Sequence, residues 1–388
     1  MTIPGRESRV DISPFLQAYQ VDPQRGFLPS QDPLIELGGS FRAWEKTAAA
    51  LPDLIRAGLL REEIRALPAF PIRKVRPDQC ELAFLMLAFL AHGYLHSTDP
   101  YRTILPANIA VPFVQLGERM GRLPVLSHAS LILHNWRRID PEGPIQVENL
   151  EPIFSFTGTA DEHWFYHLTT GIEALGGAIL YEIGLLLRSA KEQQEQLVKA
   201  CLTNIGSGIP TLTAQLKRMQ SGCDPGFFYH HIRPFLDSLT NLVYEGIQER
   251  PVRSYAGGSA AQSSLIQAIE SGLAIAHNEE KSAAFLERMR AYMPPAHRSF
   301  LASLQRLAPA LEQMCAQSSE VGKLRAHCAS QLRDFRNTHL SLVSDYILSH
   351  VHQKGPGHIG TGGTNPLPFL KQLRNDNARL AKAWPISE

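Results

Sequence analysis

A chain of 388 residues, 44% of them hydrophobic, is long enough for one large core or two smaller ones. Its formal net charge of +1, with no basic block or stripe, argues against nucleic acid as the main partner. The opening Met-Thr-Ile-Pro-Gly-Arg-Glu-Ser-Arg has no apolar heart of the secretory kind, and the greasiest run, residues 82–91, is too short to span a bilayer, so no membrane partner is expected. The five cysteines (Cys80, Cys201, Cys223, Cys315, Cys328) never form a C-x-x-C pair, which fits a reducing cytoplasm and argues against a thiolate zinc site.

Residues 1–35 read as an irregular, proline-rich arm. Helical patterns follow at 40–50, at 51–57 closed by Gly58, and at 61–67; prolines 68, 71 and 77 then lead into a helix over 79–96. The segment 105–116 is interrupted by Pro112 and expected to kink. No run shows the sustained alternation of a sheet, so the expected fold is all-α. A boundary near Gly121 divides a small N-terminal domain, 1–121, from a larger one, 122–388.

Beyond it, residues 124–136 read as a short amphipathic helix and 161–189 as a long one. Phe165, Thr169 and Ile172 share a face of the long helix, with Tyr166 beside Thr169. Gly176-Gly177 would let another backbone come close. A polar helix is expected at 191–204. Asp224-Pro225 makes a good helix start, and Tyr229 and Arg233 fall four apart beyond it. The last patterns are a helix over about 319–352, a glycine-rich loop at 357–364 and a closing helix over 367–383.

On the helix over 319–352 the apolar stripe runs through Cys328, Leu332, Phe335, Leu342, Val343, Tyr346 and Ile347, with His339 in its middle and Arg336 one turn before it. Such a histidine has two readings: a core imidazole satisfied by a carbonyl, or the single axial ligand of a haem, which needs a dry, fixed mount. His163 and His167 stand at metal-binding spacing, but the glutamate of H-E-x-x-H is missing; His230-His231 point to different sides. Gly257-Gly-Ser-Ala-Ala-Gln-Ser is neither a dinucleotide fingerprint nor a P-loop, and there is no G-x-S-x-G elbow. Gly360-Thr-Gly-Gly-Thr364 is either a linker or a lid.

Taken together, these stretches resemble the indoleamine 2,3-dioxygenase family, within a superfamily that includes the tryptophan 2,3-dioxygenases. The resemblance covers most of the chain: Leu51-Pro-Asp-Leu-Ile, Leu105-Pro-Ala-Asn-Ile-Ala-Val-Pro, Asn135-Trp136, Phe154-Ser-Phe156, Val243-Tyr-Glu-Gly246, Ala256-Gly-Gly-Ser-Ala260, Arg290-Ala-Tyr-Met-Pro-Pro-Ala-His-Arg298, His339-Leu and Gly360-Thr-Gly-Gly-Thr364 come in family order.

The resemblance implies a helical fold, with a small N-terminal domain on a larger haem domain. It makes His339 the proximal ligand of a non-covalent haem b and Arg336 a propionate partner paired with Glu270. Gly258, Ser259 and Ala260 become the small wall beside the haem. Phe165 and Tyr166 match the distal aromatics, Phe228 and Tyr229 a second aromatic pair, Arg233 the substrate-carboxylate clamp, and Thr361 and Gly362 the lid. The implied reaction opens the indole C2–C3 bond of L-tryptophan with O2 at Fe(II), giving N-formylkynurenine, and needs no side-chain acid or base. An unidentified reductant and a cytoplasmic monomer complete the expectation. His128 stands where tyrosine is common and Thr169 where serine is common. Those departures leave two alternatives open: a modified tryptophan of secondary metabolism as substrate, and a non-catalytic oxygen-binding haem protein.

Overall fold

The computed structural model describes residues 11–97, 103–249, 252–277, 279–350, 360–361 and 366–384. Its helices, in chain order, are α1 (Ser13–Gln17), α2 (Arg42–Ala49), α3 (Leu51–Ala57), α4 (Leu60–Ala66), α5 (Cys80–His96), α6 (Ala107–Met120) and α7 (Ala160–Lys191). They continue with α8 (Glu195–Lys217), the single turn α9 (Pro225–Phe227), α10 (Ser264–Gly272), α11 (Glu280–Arg290), α12 (Pro295–Gln317), α13 (Ser319–Tyr346) and α14 (Pro366–Ala383). Helices dominate, as the periodicity predicts. The helix α6 continues through Pro112. The polar helix expected at 191–204 starts later and runs further, as α8.

Among the described residues, strand structure is confined to short pieces: β1 (Ile104–Leu105), β2 (Arg137–Arg138), β3 (Leu150–Glu151), β4 (Leu239–Tyr244) and β5 (Val252–Tyr255). β4 pairs parallel with β1 and antiparallel with β5, while β2 and β3 form a separate antiparallel pair. The sequence hides β4 because its register with β5 shifts between Leu239 and Leu242, and Asn241 takes a positive φ of 53°. Such an irregularity breaks the two-residue alternation by which a strand is recognised.

The helix α7 is the spine. Thr159 caps it by accepting from the Glu162 backbone N–H, and Glu162 reaches back to accept from the amides of Phe156 and Thr157, each at 2.7 Å. By length and composition α7 could cross a membrane, yet 72% of its most apolar window is buried inside the protein, so here it is a core helix. It packs against α8, α10 and α12, and α13 lies against α8 and α14. One apolar cluster runs from Phe41 and Trp44 through α5 to α7 and α13, spanning both sides of Gly121, the left-handed residue that ends α6.

The glycine pair on α7 does what its spacing suggests. Gly26 sits in a bridge between Asp22 and Gly26, and that turn of the N-terminal arm lies directly on α7. A Cβ at Gly177 would stand 2.5 Å from the carbonyl carbon and oxygen of Gln24, which is backbone and cannot swing aside. Gly177→Ala should therefore lift the arm and lower stability by about 1–3 kcal/mol in denaturant unfolding; an unchanged midpoint would show that the arm's seating is unimportant.

Candidate functional site

The cavity next to His339 is walled chiefly by three helices and one loop. A space of about 230 Å³ is lined by Phe165, Thr169, Ile172 and Glu173 of α7, by Arg336, His339 and Val343 of α13, by Leu370 and Leu373 of α14, and by Gly258–Ala260 of the loop before α10. A second space, of about 180 Å³, shares Phe165, Phe228, His339 and the same loop, and adds Arg233, Gly360 and Thr361. Two π-helical turns help to shape the walls: Ala129–Leu133 carries Leu131 and Ile132, and Phe228–Ile232 carries Phe228. A reading with a 3.6-residue period cannot see such turns, which widen a helix by one residue and recur at functional sites.

His339 faces both spaces. No carbonyl is bonded to its ring among the described residues, so the reading of a satisfied core histidine finds no support. Burial, with a smaller push from Arg336, lowers its pKa to about 4. The imidazole is therefore neutral at pH 7, with a lone pair available to a metal. One turn earlier, Arg336 donates from Nη2 to Glu270 Oε1 at 2.7 Å, while its buried Nε has no hydrogen-bond partner. Burial alone would raise the Glu270 pKa, but Arg336 and His277 overcome it and hold the carboxyl at about 2.

The loop over 256–261 supplies the small wall. The tight position is Gly257: a Cβ there would lie 2.0 Å from the Leu236 carbonyl oxygen, whereas one at Gly258 meets only ordinary contacts. The same loop is bonded to Thr361, which borders the second space. Gly257 N–H donates to the Thr361 carbonyl and Thr361 Oγ1 donates to the Gly258 carbonyl, both at 2.8 Å. Gly362 lies outside the described residues.

Not every residue expected at the site is there. Tyr166 follows Phe165 on α7 and so points about 100° away. It is fully buried, its hydroxyl donating to Glu162 Oε1 at 2.5 Å and its ring edge-on to Phe89, and it lines neither space. Tyr229 also lines neither. The Arg233 guanidinium lies over its ring at 5.4 Å and His350 stacks against it, so Tyr229 supports the arginine from behind. Phe165 and Phe228 do meet, with centroids 4.9 Å apart. The Thr169 hydroxyl is tied to the Phe165 carbonyl at 2.9 Å. His163 and His167 assemble no metal site, and no group of three metal-ligating side chains occurs among the described residues.

His128 reaches the larger space in company that sequence reasoning missed. Its Nε2 is 2.8 Å from Glu173 Oε1, which also accepts from the Ser263 hydroxyl at 2.6 Å, so only Nδ1 is left to meet a ligand. Glu173 Oε2 is buried with no partner. The signal was available: Glu173 stands four residues after Thr169 and eight after Phe165, on the face already singled out.

A planar, acid-bearing iron cofactor fits these residues. There is a neutral imidazole on a rigid helix, a buried guanidinium with an unused N–H beside it, and a glycine-containing wall where a flat ring could lie. Fold and cavity thus define a helical protein built around one buried prosthetic-group pocket. The chain matches the indoleamine 2,3-dioxygenase family model over residues 15–380 and belongs to that family, whose members are haem-dependent dioxygenases. It is 33% identical to indoleamine 2,3-dioxygenase 1 of Rattus norvegicus over 395 residues, covering 95% of this chain and 96% of the relative. It is 31% identical to the indoleamine 2,3-dioxygenase of Saccharomyces cerevisiae (95% and 94% covered) and 29% identical to a protein named myoglobin in Haliotis madaka (94% and 98% covered).

The pair at the floor of the site has an acid signature. Because folded Glu270 is held below its ordinary value of 4.5, its charge stabilises the fold above that pH, and the contribution is lost as pH falls toward 2. Urea unfolding across this range should show a loss on the order of 3 kcal/mol that is much reduced in Glu270→Gln. An equal acid slope in that variant would rule the pair out as its source.

Proposed function

We propose that the protein opens the indole C2–C3 bond of L-tryptophan, or of a close indoleamine relative, with O2 to give N-formylkynurenine, using haem b with ferrous iron. When bound, the haem supplies the activation of O2. His339 would hold the iron from α13, Arg336 would receive a propionate at its unused N–H, and Gly258, Ser259 and Ala260 would border the ring. Phe165 and Phe228 would pack together against one side of the indole and exclude water, and the buried Arg233 would orient the substrate by its carboxylate through a charge-assisted fork. No side chain is needed as acid or base. A cytoplasmic monomer served by a separate reductant is part of the same reading.

The observation that carries it is the adjacency of two unlike groups around Phe165 and Phe228: a neutral imidazole suited to iron and a buried guanidinium suited to a carboxylate. Oxygen carriage is the second reading, because a relative of similar coverage is named myoglobin. Dioxygen has no carboxylate, and a carrier gains nothing from Arg233. Preference for a modified tryptophan would arise at Thr169 and His128.

Aerobic turnover of L-tryptophan by the reduced, haem-loaded protein should give a product heavier by two oxygen atoms. A haem spectrum with no such product would move the substrate to another indole or to O2 alone, and failure to bind haem would overturn the reading. Arg233→Ala should keep its haem and lose about 10–100-fold in kcat/KM, chiefly through KM, as removal of a hydrogen bond to a charged group does. Normal use of tryptophan by that variant would sink the carboxylate role. His339→Ala should lose the axial-nitrogen signature in the haem spectrum; an unaltered spectrum would put the iron elsewhere.

A further inference from the structure

The Arg336–Glu270 pair is one end of a longer buried row. Glu270 Oε2 meets His277 Nε2 at 3.3 Å, and His277 Nδ1 meets Asp376 Oδ2 at 3.0 Å. Four charged or titratable groups from α13, α10, the turn after α10, and α14 thus stand in alternating sign. Asp376 has no exposed side-chain surface, and Gln372 donates to its other oxygen at 3.0 Å. An imidazole with a carboxylate on each nitrogen can satisfy both only by carrying both protons.

The helix that Asp376 anchors is a wall of the haem site, since Phe369, Leu370 and Leu373 line the cavity beside His339. Behind the row lies a separate polar cavity of about 260 Å³, bounded by Glu270, His277, Gln267, Arg290 and Gln305. Gln267 and Leu286 border both spaces, so this partition divides an apolar chamber from a polar one. Gln267 is held across it by donating to the Ala261 carbonyl at 3.1 Å and accepting from Arg290 Nε at 2.9 Å.

We infer that His277 and Asp376 are positioning residues for the cofactor: they latch α14 to Glu270 and thereby hold both the helical wall and Arg336 in place around the haem. The latch rests on the haem-binding reading, and its consequence is that release of the cofactor and undocking of α14 are one event. Loosening α14 removes a counter-charge from His277, frees Glu270 to turn, and takes from Arg336 the partner that fixes its unused edge. The groups facing His277 are Glu270 from α10, Arg336 from α13, and Asp376 with its partner Arg379 from α14; Glu287 and Arg290 of α11 border the polar cavity. Burial opposes the charge on His277, but its two carboxylate partners raise its pKa. The latch is therefore complete at low pH and weakens as pH rises through that raised value.

The test uses the full-length, haem-loaded protein and measures haem transfer to excess apomyoglobin between about pH 6 and pH 9. Asp376→Asn and His277→Gln should each speed haem loss by ~10–100-fold, the usual cost of removing a group that orients a ligand's partner. His277→Gln should also flatten the rise in loss with pH. Arg379→Ala, which removes only the exposed partner of Asp376, should stay within about twofold. Hydrogen exchange of α14 in the haem-free protein should rise in the two latch variants and not in the control. Wild-type retention and exchange in Asp376→Asn would overturn the latch. Failure of the wild-type protein to take up haem would instead defeat the haem-binding reading, and α14 exchange would still decide whether the row holds the helix.

Discussion

Everything around the cavity depends on one buried ion pair. Glu270 and Arg336 come from helices far apart in the chain and meet where almost no solvent reaches either. Each would be costly there alone, and each makes the other tolerable. Because the pair fixes α13 against α10, it also fixes the neighbours that each helix carries. On α13 that neighbour is His339, one turn further on; on α10 it is the loop of small residues that leads into the helix. Neutralising one partner leaves the other charge buried and uncompensated, so the pair admits few alternative registers between the helices that bear it.

Around that pair the site divides its labour by helix. α7 gives a face with Phe165 at one end and Glu173 at the other, apolar where the rings meet and acidic near His128. α13 gives the imidazole and the guanidinium. α14 closes the side with aliphatic carbon, and the turn Phe228–Ile232 brings an aromatic ring in from the remaining direction. The protein's contribution to chemistry in such a pocket is geometry, dryness and fixed charge.

Much of this is legible from the amino acids alone, for physical reasons that differ by element. Helices α7 and α13 announce themselves because a long apolar stripe at a 3.6 period is what a helix packed on one face requires, and His339 stands out because it interrupts one. Gly177 is readable because a glycine pair inside a helix is unfavourable unless something packs there. The misses follow a pattern. Tyr166 and Tyr229 look like pocket residues from their neighbours in sequence, but consecutive residues on a helix diverge by about 100° and only Phe165 and Phe228 turn inward. Strand β4 is masked by its own irregularity. His277 and Asp376 carry no local pattern at all: they are 99 residues apart, and only the fold makes them neighbours.

The mooring of Thr361 has a consequence for how such a pocket can change. Gly258 borders the cavity, and its carbonyl, together with the amide of its neighbour Gly257, is also where Thr361 is held. A single strip of backbone thus sets both the width of the chamber and the position of Thr361 at its edge. Enlarging the chamber by reshaping residues 256–261 displaces the two hydrogen bonds that seat Thr361, and a bulkier residue at that position pushes back on the wall. For anyone redesigning the pocket for a larger indole, the two strips form one mechanical part, to be altered together or left alone.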